Sequence, residues 1–172
     1  MLKEEIVKTS LSVPTTFGVK TTVSDIPTIA KLSGDAARGQ ARAAICMTCH
    51  RLGAQGVPFG PNLAGWAAVR SPEQILKDIV SPSEHLAHGF DRPVRLTSKD
   101  KKVVIEGLAS NYSYHSGSID VKVFGGQTRK VLFRKSGLSI EFLKDHSWMP
   151  PASEMGLSDQ DLADLITYLK TL

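Results

Sequence analysis

The hydrophobic positions near the end of the chain recur with a helical period. Apolar residues fall three or four positions apart, which predicts a helix with one buried face. Ser158, with Asp161 three residues later, is typical of an N-terminal cap, so the helix is expected to begin there. The buried stripe would comprise Leu162, Leu165, Ile166 and Leu169.

Two further helices are predicted earlier in the chain. One follows Ser33-Gly34 and runs through Ala44. The other spans residues 72–80, where Ser71 and Gln74 have the spacing of a capping box. Both predictions depend on polar residues that satisfy the first free N–H groups of a helix, together with the apolar residues that follow them.

Between about residues 90 and 145 the hydrophobic period changes from helical to strand-like. The segment 119–123 alternates strictly, which predicts that Val121 and Val123 point inward and Lys122 largely outward. Similar segments separated by turn-forming residues precede and follow it. The pattern predicts a small antiparallel β-meander or barrel of about four or five strands.

Charge is concentrated in this strand-rich region. The 172-residue chain has a net charge of +4, and residues 90–145 contain eleven Lys/Arg against six Asp/Glu, a local charge of +5. The basic residues are scattered and no nucleic-acid-binding motif accompanies them, which favours a solvated basic face over a nucleic-acid site. No apolar run approaches the length of a membrane span.

The chemistry suggested by the sequence lies in Cys46-Met47-Thr48-Cys49-His50. This C-x-x-C-H pattern contains both cysteines of the chain and is typical of c-type haem attachment. Two thiols one turn apart can each add to a haem vinyl group, while the adjacent imidazole of His50 binds the iron. We therefore expect one covalent haem c as the cofactor.

The cysteine pair has two other interpretations, a redox dithiol and a zinc site. A redox dithiol needs a strand-then-helix setting, whereas a helix is predicted before this motif. A zinc site needs about four nitrogen or sulfur ligands, and without a third cysteine the remaining histidines would have to supply them. Haem attachment is favoured over both.

The second axial ligand of the iron would come from a distant residue. Met149 precedes Pro150-Pro151 just before the last predicted helix, so its thioether would be held on a rigid segment. Packing as a core residue is the alternative role for Met149. Met155 or a histidine would then be the substitute ligand.

Several motifs together resemble a class I c-type cytochrome, and more narrowly the haem-binding domains of planctomycete and verrucomicrobial type, which have a β insertion before the ligand methionine. The resemblance covers residues 34–172. It implies a mainly α cytochrome c fold with an inserted antiparallel β-structure at about 90–145, preceded by a leader or linker over residues 1–33. The motifs are Gly34-Asp-Ala-Ala-Arg-Gly39, Cys46–His50, Gly60-Pro61-Asn62-Leu63, Met149-Pro150-Pro151 and residues 157–169.

The same resemblance implies roles for individual residues. His50 and Met149 would be the axial ligands, and the Pro61 carbonyl would lie against a ring nitrogen of His50. Leu63, Trp66 and Leu165 would line the haem pocket, although burial in a core would explain each of them as well.

The expected function is electron transfer rather than catalysis, as a carrier or as the electron-exit domain of a larger oxidoreductase. The alternative is a haem enzyme or gas sensor with an open iron site. The partners would be redox proteins, and an acidic docking surface on them would complement the basic strand-rich region. Haem attachment implies a periplasmic or otherwise exported protein, and because the start of the chain lacks an apolar signal core, we expect a mature protein or an excised domain.

Overall fold

The structure, a computed structural model, describes residues 4–5, 9–14 and 17–172. Within these residues the helices are α1 (Ile26–Ile29), α2 (Ala36–Arg42), α3 (Pro72–Val80) and α4 (Asp159–Leu169). The strands are β1 (Glu4–Glu5), β2 (Arg51–Leu52), β3 (Gln55–Gly56), β4 (Pro93–Ser98), β5 (Val104–Ser113), β6 (Ser118–Val123), β7 (Thr128–Val131) and β8 (Leu138–Phe142). Two 3-10 helices span Cys46–Thr48 and Ala152–Met155.

The chain divides into two compact units. One, called here the sheet unit, contains the described residues up to Pro14 together with Ala87–Trp148. The other, the helical unit, contains residues 17–86 together with Met149–Leu172. Each unit has its own cluster of buried hydrophobic side chains.

The sheet unit is built on one six-stranded sheet in the order β1-β7-β6-β5-β4-β8. The five strands from β4 to β8 pair antiparallel, as the alternating sequence predicts. Val121 and Val123 are buried in the core of the unit, which confirms their predicted direction. Lys122 is half-buried rather than fully outward, and burial lowers the pKa of its ammonium group.

Residues near the start of the chain belong to this sheet. β1 pairs with β7 in parallel, and Leu11 forms an isolated parallel bridge with Ile105. The N–H of Val13 donates to the carboxylate of Glu106, a buried side chain that also accepts a 2.9 Å hydrogen bond from Arg95. Parts of the segment 1–33, for which a leader or linker was expected, lie outside the described residues.

The expectation of a mainly α fold is wrong. Of the described residues, 23% are helical and 22% lie in strands, so the chain is an α+β protein with equal shares of both. The physical reason is that the strands form a unit with a hydrophobic core of its own. They bury ten hydrophobic residues in a cluster separate from that of the helices.

The helical unit is organised around the close crossing of α2 and α4. A Cβ atom at Gly39 would lie 2.0 Å from the backbone oxygen of Asp164, so only glycine permits this approach. The predicted stripe of α4 is buried, with Leu162, Leu165 and Leu169 at 0–1% exposure. No helix of the described residues is both long enough and apolar enough to cross a lipid bilayer.

Candidate haem-attachment site

The C-x-x-C-H motif lies in a tight turn that follows α2. The side chain of Asp35 caps the helix by accepting a 2.8 Å hydrogen bond from the N–H of Arg38, and α2 ends at Arg42, two residues earlier than predicted. The carbonyl of Cys46 accepts hydrogen bonds from the N–H groups of Cys49 (3.2 Å) and His50 (2.8 Å). These bonds bring both cysteines and the histidine into one turn of chain.

The two cysteines of the motif are not joined by a disulfide. Cys46 is half-buried and Cys49 is buried. Burial raises the pKa of Cys46 to about 11, and burial likewise raises the pKa of Cys49. Because the thiolate is the nucleophile in disulfide exchange, thiols that remain protonated at neutral pH do not favour the redox-dithiol interpretation.

The imidazole of His50 is oriented by the loop that follows the motif. Its Nδ1 atom lies 2.7 Å from the carbonyl oxygen of Pro61, the contact expected from the resemblance. Since a carbonyl only accepts, Nδ1 carries the proton and donates it, which leaves the lone pair of Nε2 available for a metal ion. Burial lowers the pKa of the His50 imidazole, an effect that favours the neutral ring.

Gly60 allows the loop to approach this ring. A Cβ atom built at Gly60 would lie 2.5 Å from Cε1 and 2.8 Å from Nδ1 of His50. The N–H of Gly60 also donates a 2.7 Å hydrogen bond to the carbonyl of Cys49, which ties the loop to the motif. This role of Gly60 was not predicted from the sequence, although Gly60 belongs to one of the motifs that carry the resemblance. The signal was a glycine directly beside the predicted proline contact.

A second glycine, Gly56, lies close to the backbone of the motif. Gly56 has φ +93°, a left-handed conformation that favours glycine, and a Cβ atom there would lie 2.2 Å from the backbone oxygen of His50. It pairs with Arg51 in the two-stranded sheet formed by β2 and β3. This hairpin connects the motif to the loop that contains Gly60 and Pro61.

The other predicted site residues border one hydrophobic core. Cys46, Leu63, Trp66 and Met149 are all half-buried and all pack against the core of the helical unit. Leu165 is a fully buried member of that core, at 1% exposure. The guanidinium of Arg70 lies 4.7 Å from the centre of the Trp66 ring.

The two candidate methionine ligands differ in their surroundings. Met155 ends the 3-10 helix Ala152–Met155 and is buried at 8% exposure inside the core. Met149 is half-buried at the edge of the same core. Burial explains Met155 as a packing residue, so Met149 is the better ligand candidate of the two.

The zinc interpretation gains no support from the described residues. Among them, no three His, Cys, Asp or Glu side chains group together as ligands for a metal ion. The remaining histidines therefore do not join Cys46 and Cys49 in such a group.

No protein-family model matches the chain, and no curated protein matches its sequence significantly.

The donor set of the motif fits a covalently attached haem. It offers two protonated thiols within one turn, a neutral imidazole with a free Nε2 lone pair, and a backbone acceptor that fixes the ring tautomer. A polarizable thioether borders the same core. The imidazole and the thioether are the ligand types that hold the iron in cytochromes c.

Proposed function

We propose that this protein transfers electrons through a single haem c, bound covalently by Cys46 and Cys49. His50 and Met149 would be the axial ligands of the iron. The observation that carries this proposal is the 2.7 Å contact between His50 Nδ1 and the Pro61 carbonyl, within a C-x-x-C-H turn. This contact favours the tautomer in which Nε2 keeps its lone pair, which is the form that a histidine ligand of the iron requires.

The haem, when bound, supplies a one-electron change at its iron, and the protein supplies attachment, orientation and environment. The thiols of Cys46 and Cys49 fix the group to the chain. Pro61 accepts the Nδ1–H hydrogen bond and so leaves the Nε2 lone pair free for the iron. Gly60 leaves room for the imidazole beside the backbone.

The hydrophobic surroundings would tune the redox potential. Leu63 and Trp66 are half-buried beside the core, where they would exclude water from the haem. An apolar environment and a thioether ligand both favour the reduced iron, which has the lower charge. The Met149 thioether would be restrained by the two prolines that follow it, since proline fixes the backbone φ angle.

An iron held by both His50 and Met149 would have no free position for a substrate, which would suit a carrier or an electron-exit domain of a larger exported oxidoreductase. The partners would be redox proteins. The positive charge of residues 90–145 would favour partners with an acidic surface.

One spectroscopic experiment tests the proposal. The protein, produced in cells that mature c-type cytochromes, should give a reduced-minus-oxidised spectrum of a six-coordinate haem c. The oxidised protein should also have a near-infrared band from methionine bound to Fe(III). Rapid binding of carbon monoxide by the unmutated reduced protein would instead indicate an open iron site, and would contradict electron transfer through a closed haem.

A further inference from the structure

Exposed aromatic side chains cluster on the sheet unit. Among the described residues, three aromatic side chains are substantially exposed: Tyr112 at 40%, Tyr114 at 66% and Phe142 at 45%. The rings of Tyr112 and Phe142 meet edge to face, with their centres 5.7 Å apart. Single exposed hydrophobic residues are common on proteins, but Tyr112 and Phe142 are in contact and form one apolar patch, a feature that interaction sites share.

Cationic side chains border these rings. The guanidinium of Arg92 lies 5.7 Å from the centre of the Phe142 ring. A shallow cavity of about 350 Å³ is lined by residues 91–93, Tyr112 and residues 142–144. Lys144 is exposed at this cavity, and Asp91 is the one acidic residue of its lining, so the lining has a net positive charge.

We propose that Arg92, Tyr112, Phe142 and Lys144, together called the aromatic–basic surface, form a docking site for an acidic segment of a partner protein. The aromatic rings would contact an apolar side chain of that segment, and the two cations would pair with carboxylates on either side of it. Aromatic residues and arginine are the types enriched at the energetic centres of protein–protein interfaces.

Charge complementarity identifies the partner as acidic. Residues 90–145 have a charge of +5, so the surface lies within a positive region of the chain. Two of the six acidic residues in that region, Glu106 and Asp120, are buried and hydrogen-bonded inside the unit. Because Glu106 is paired with Arg95, discounting these two residues leaves the charge of the region positive, and this charge attracts and orients acidic partners.

A protein segment fits this surface better than a nucleic acid does. Nucleobases bind by stacking on free aromatic faces. Here Tyr112 stacks on Phe133, with ring centres 5.9 Å apart, and Arg92 lies over Phe142, so the remaining ring surface suits a side chain that packs against ring edges better than a base that must stack on a face. Phe142 also ends β8, the last strand of the sheet order, so it is available to an extended peptide at the edge of the sheet.

This docking does not require the haem. Failure of the binding test below would leave the electron-transfer proposal intact, and an absent haem would leave the docking proposal intact. If both proposals hold, the aromatic–basic surface is the site at which an acidic redox partner binds.

The test uses the full chain and a short synthetic peptide in which glutamates flank a central phenylalanine. Titration followed by NMR should shift the backbone amide signals of Asp91, Arg92, Tyr112 and residues 142–144. The same peptide with lysines in place of the glutamates should cause no shifts. An absence of binding by the acidic peptide, or shifts centred elsewhere, would overturn the proposal.

Matched double variants separate this surface from general electrostatics. Arg92→Gln/Lys144→Gln should weaken peptide binding by about tenfold or more, as loss of central interface contacts does. Lys99→Gln/Lys101→Gln also removes two positive charges, but from exposed residues near the β4–β5 turn. It should weaken peptide binding about threefold or less, as the loss of exposed charge pairs does. Equal losses in the two variants would contradict a defined docking site.

Two further measurements complete the test. Phe142→Ala keeps all the charges and should also weaken peptide binding about tenfold, because it removes the aromatic anchor. A short DNA duplex is the competing probe. If it binds more tightly than the acidic peptide, and Phe142→Ala leaves its binding unchanged, the surface is a general polyanion site and the proposal is wrong.

Discussion

His50 is held by two neighbours that differ in how visible they are in the sequence. The Pro61 contact was expected from the resemblance, because a C-x-x-C-H histidine needs a backbone partner for its second ring nitrogen. The role of Gly60 was not expected. Its importance comes from the distance between a loop and a ring, and the sequence shows only that a small residue is present there.

Gly60→Ala should displace the His50 ring. The new methyl group would lie 2.5 Å from Cε1, so either the ring or the loop must move and the hydrogen bond to Pro61 is strained. We expect a loss of about 1–3 kcal/mol in the free energy of unfolding, as for other overpacked sites. Chemical denaturation measures this loss, and NMR of the His50 ring detects the altered hydrogen bond.

Gly53→Ala is the control for Gly60→Ala. Gly53 lies in the same hairpin and loop region, with φ +67° and open space around a Cβ atom. Alanine there should cost about 1–2 kcal/mol from backbone strain but leave the His50 ring signals unchanged. If the two variants perturb the His50 signals equally, Gly60 has no special relation to the ring.

Met149→Ala should open the sixth coordination position of the iron. The variant is expected to bind carbon monoxide or cyanide, to have a lower redox potential and to lose the near-infrared methionine band, because the thioether favours Fe(II). Absorption spectra and a redox titration measure these effects.

Met155→Ala distinguishes a ligand from a core residue. Met155 is 8% exposed inside the core, so its removal should cost about 2–5 kcal/mol in stability while the near-infrared band remains. An unchanged spectrum in Met149→Ala, together with loss of the band in Met155→Ala, would reverse the two assignments.

At the scale of helices and strands, local sequence signals were largely sufficient. The capping boxes at Ser71 and Ser158 are present, and α3 has the predicted bounds, since caps and apolar periods act within a few residues. The packing of α2 on α4 could not be predicted from such local signals. It depends on Gly39 and on Asp164, a buried carboxylate bonded to Arg38, and each of these contacts joins residues far apart in sequence.

The Arg38–Asp164 pair should make the helical unit sensitive to acid. Hydrogen bonds from Arg38 hold the pKa of Asp164 well below its usual range, and the carboxyl group is 2% exposed. In the unfolded chain the group would titrate near its ordinary pKa of about 3.9. The stability that the pair contributes is therefore present above about pH 4, and is lost as the pH falls toward the folded pKa.

Asp164→Asn tests this linkage. It should lower the free energy of unfolding at pH 7 by about 1–3 kcal/mol and reduce the further loss of stability between neutral and acidic pH. Lys20→Gln, which breaks the exposed Lys20–Glu154 pair, is the control and should cost about 1 kcal/mol or less. If the free energy of unfolding decreases by the same amount between neutral and acidic pH in the wild type and in Asp164→Asn, the assignment is contradicted.

At the scale of the whole molecule, the individual strands were predicted from the sequence, but the share of the fold that they form was not. The strand period was visible at residues 119–123, whereas nothing local indicates that Glu4 and Glu5 pair with Lys130 and Val131. Parallel pairing across such a distance depends on the assembled sheet and not on neighbouring residues. The resemblance to cytochromes favoured a mainly α fold and understated the sheet unit.

The central claim is that Cys46 and Cys49 hold a haem covalently, and the mass of the denatured protein tests it most directly. Protein from cells that mature c-type cytochromes should keep its colour after extraction with acidified acetone. Its denatured chain should have the mass of the polypeptide plus one haem, and Cys46→Ala or Cys49→Ala should weaken or abolish this maturation. A colourless chain with the mass of the polypeptide alone, under conditions in which a known c-type cytochrome matures normally, would contradict the account.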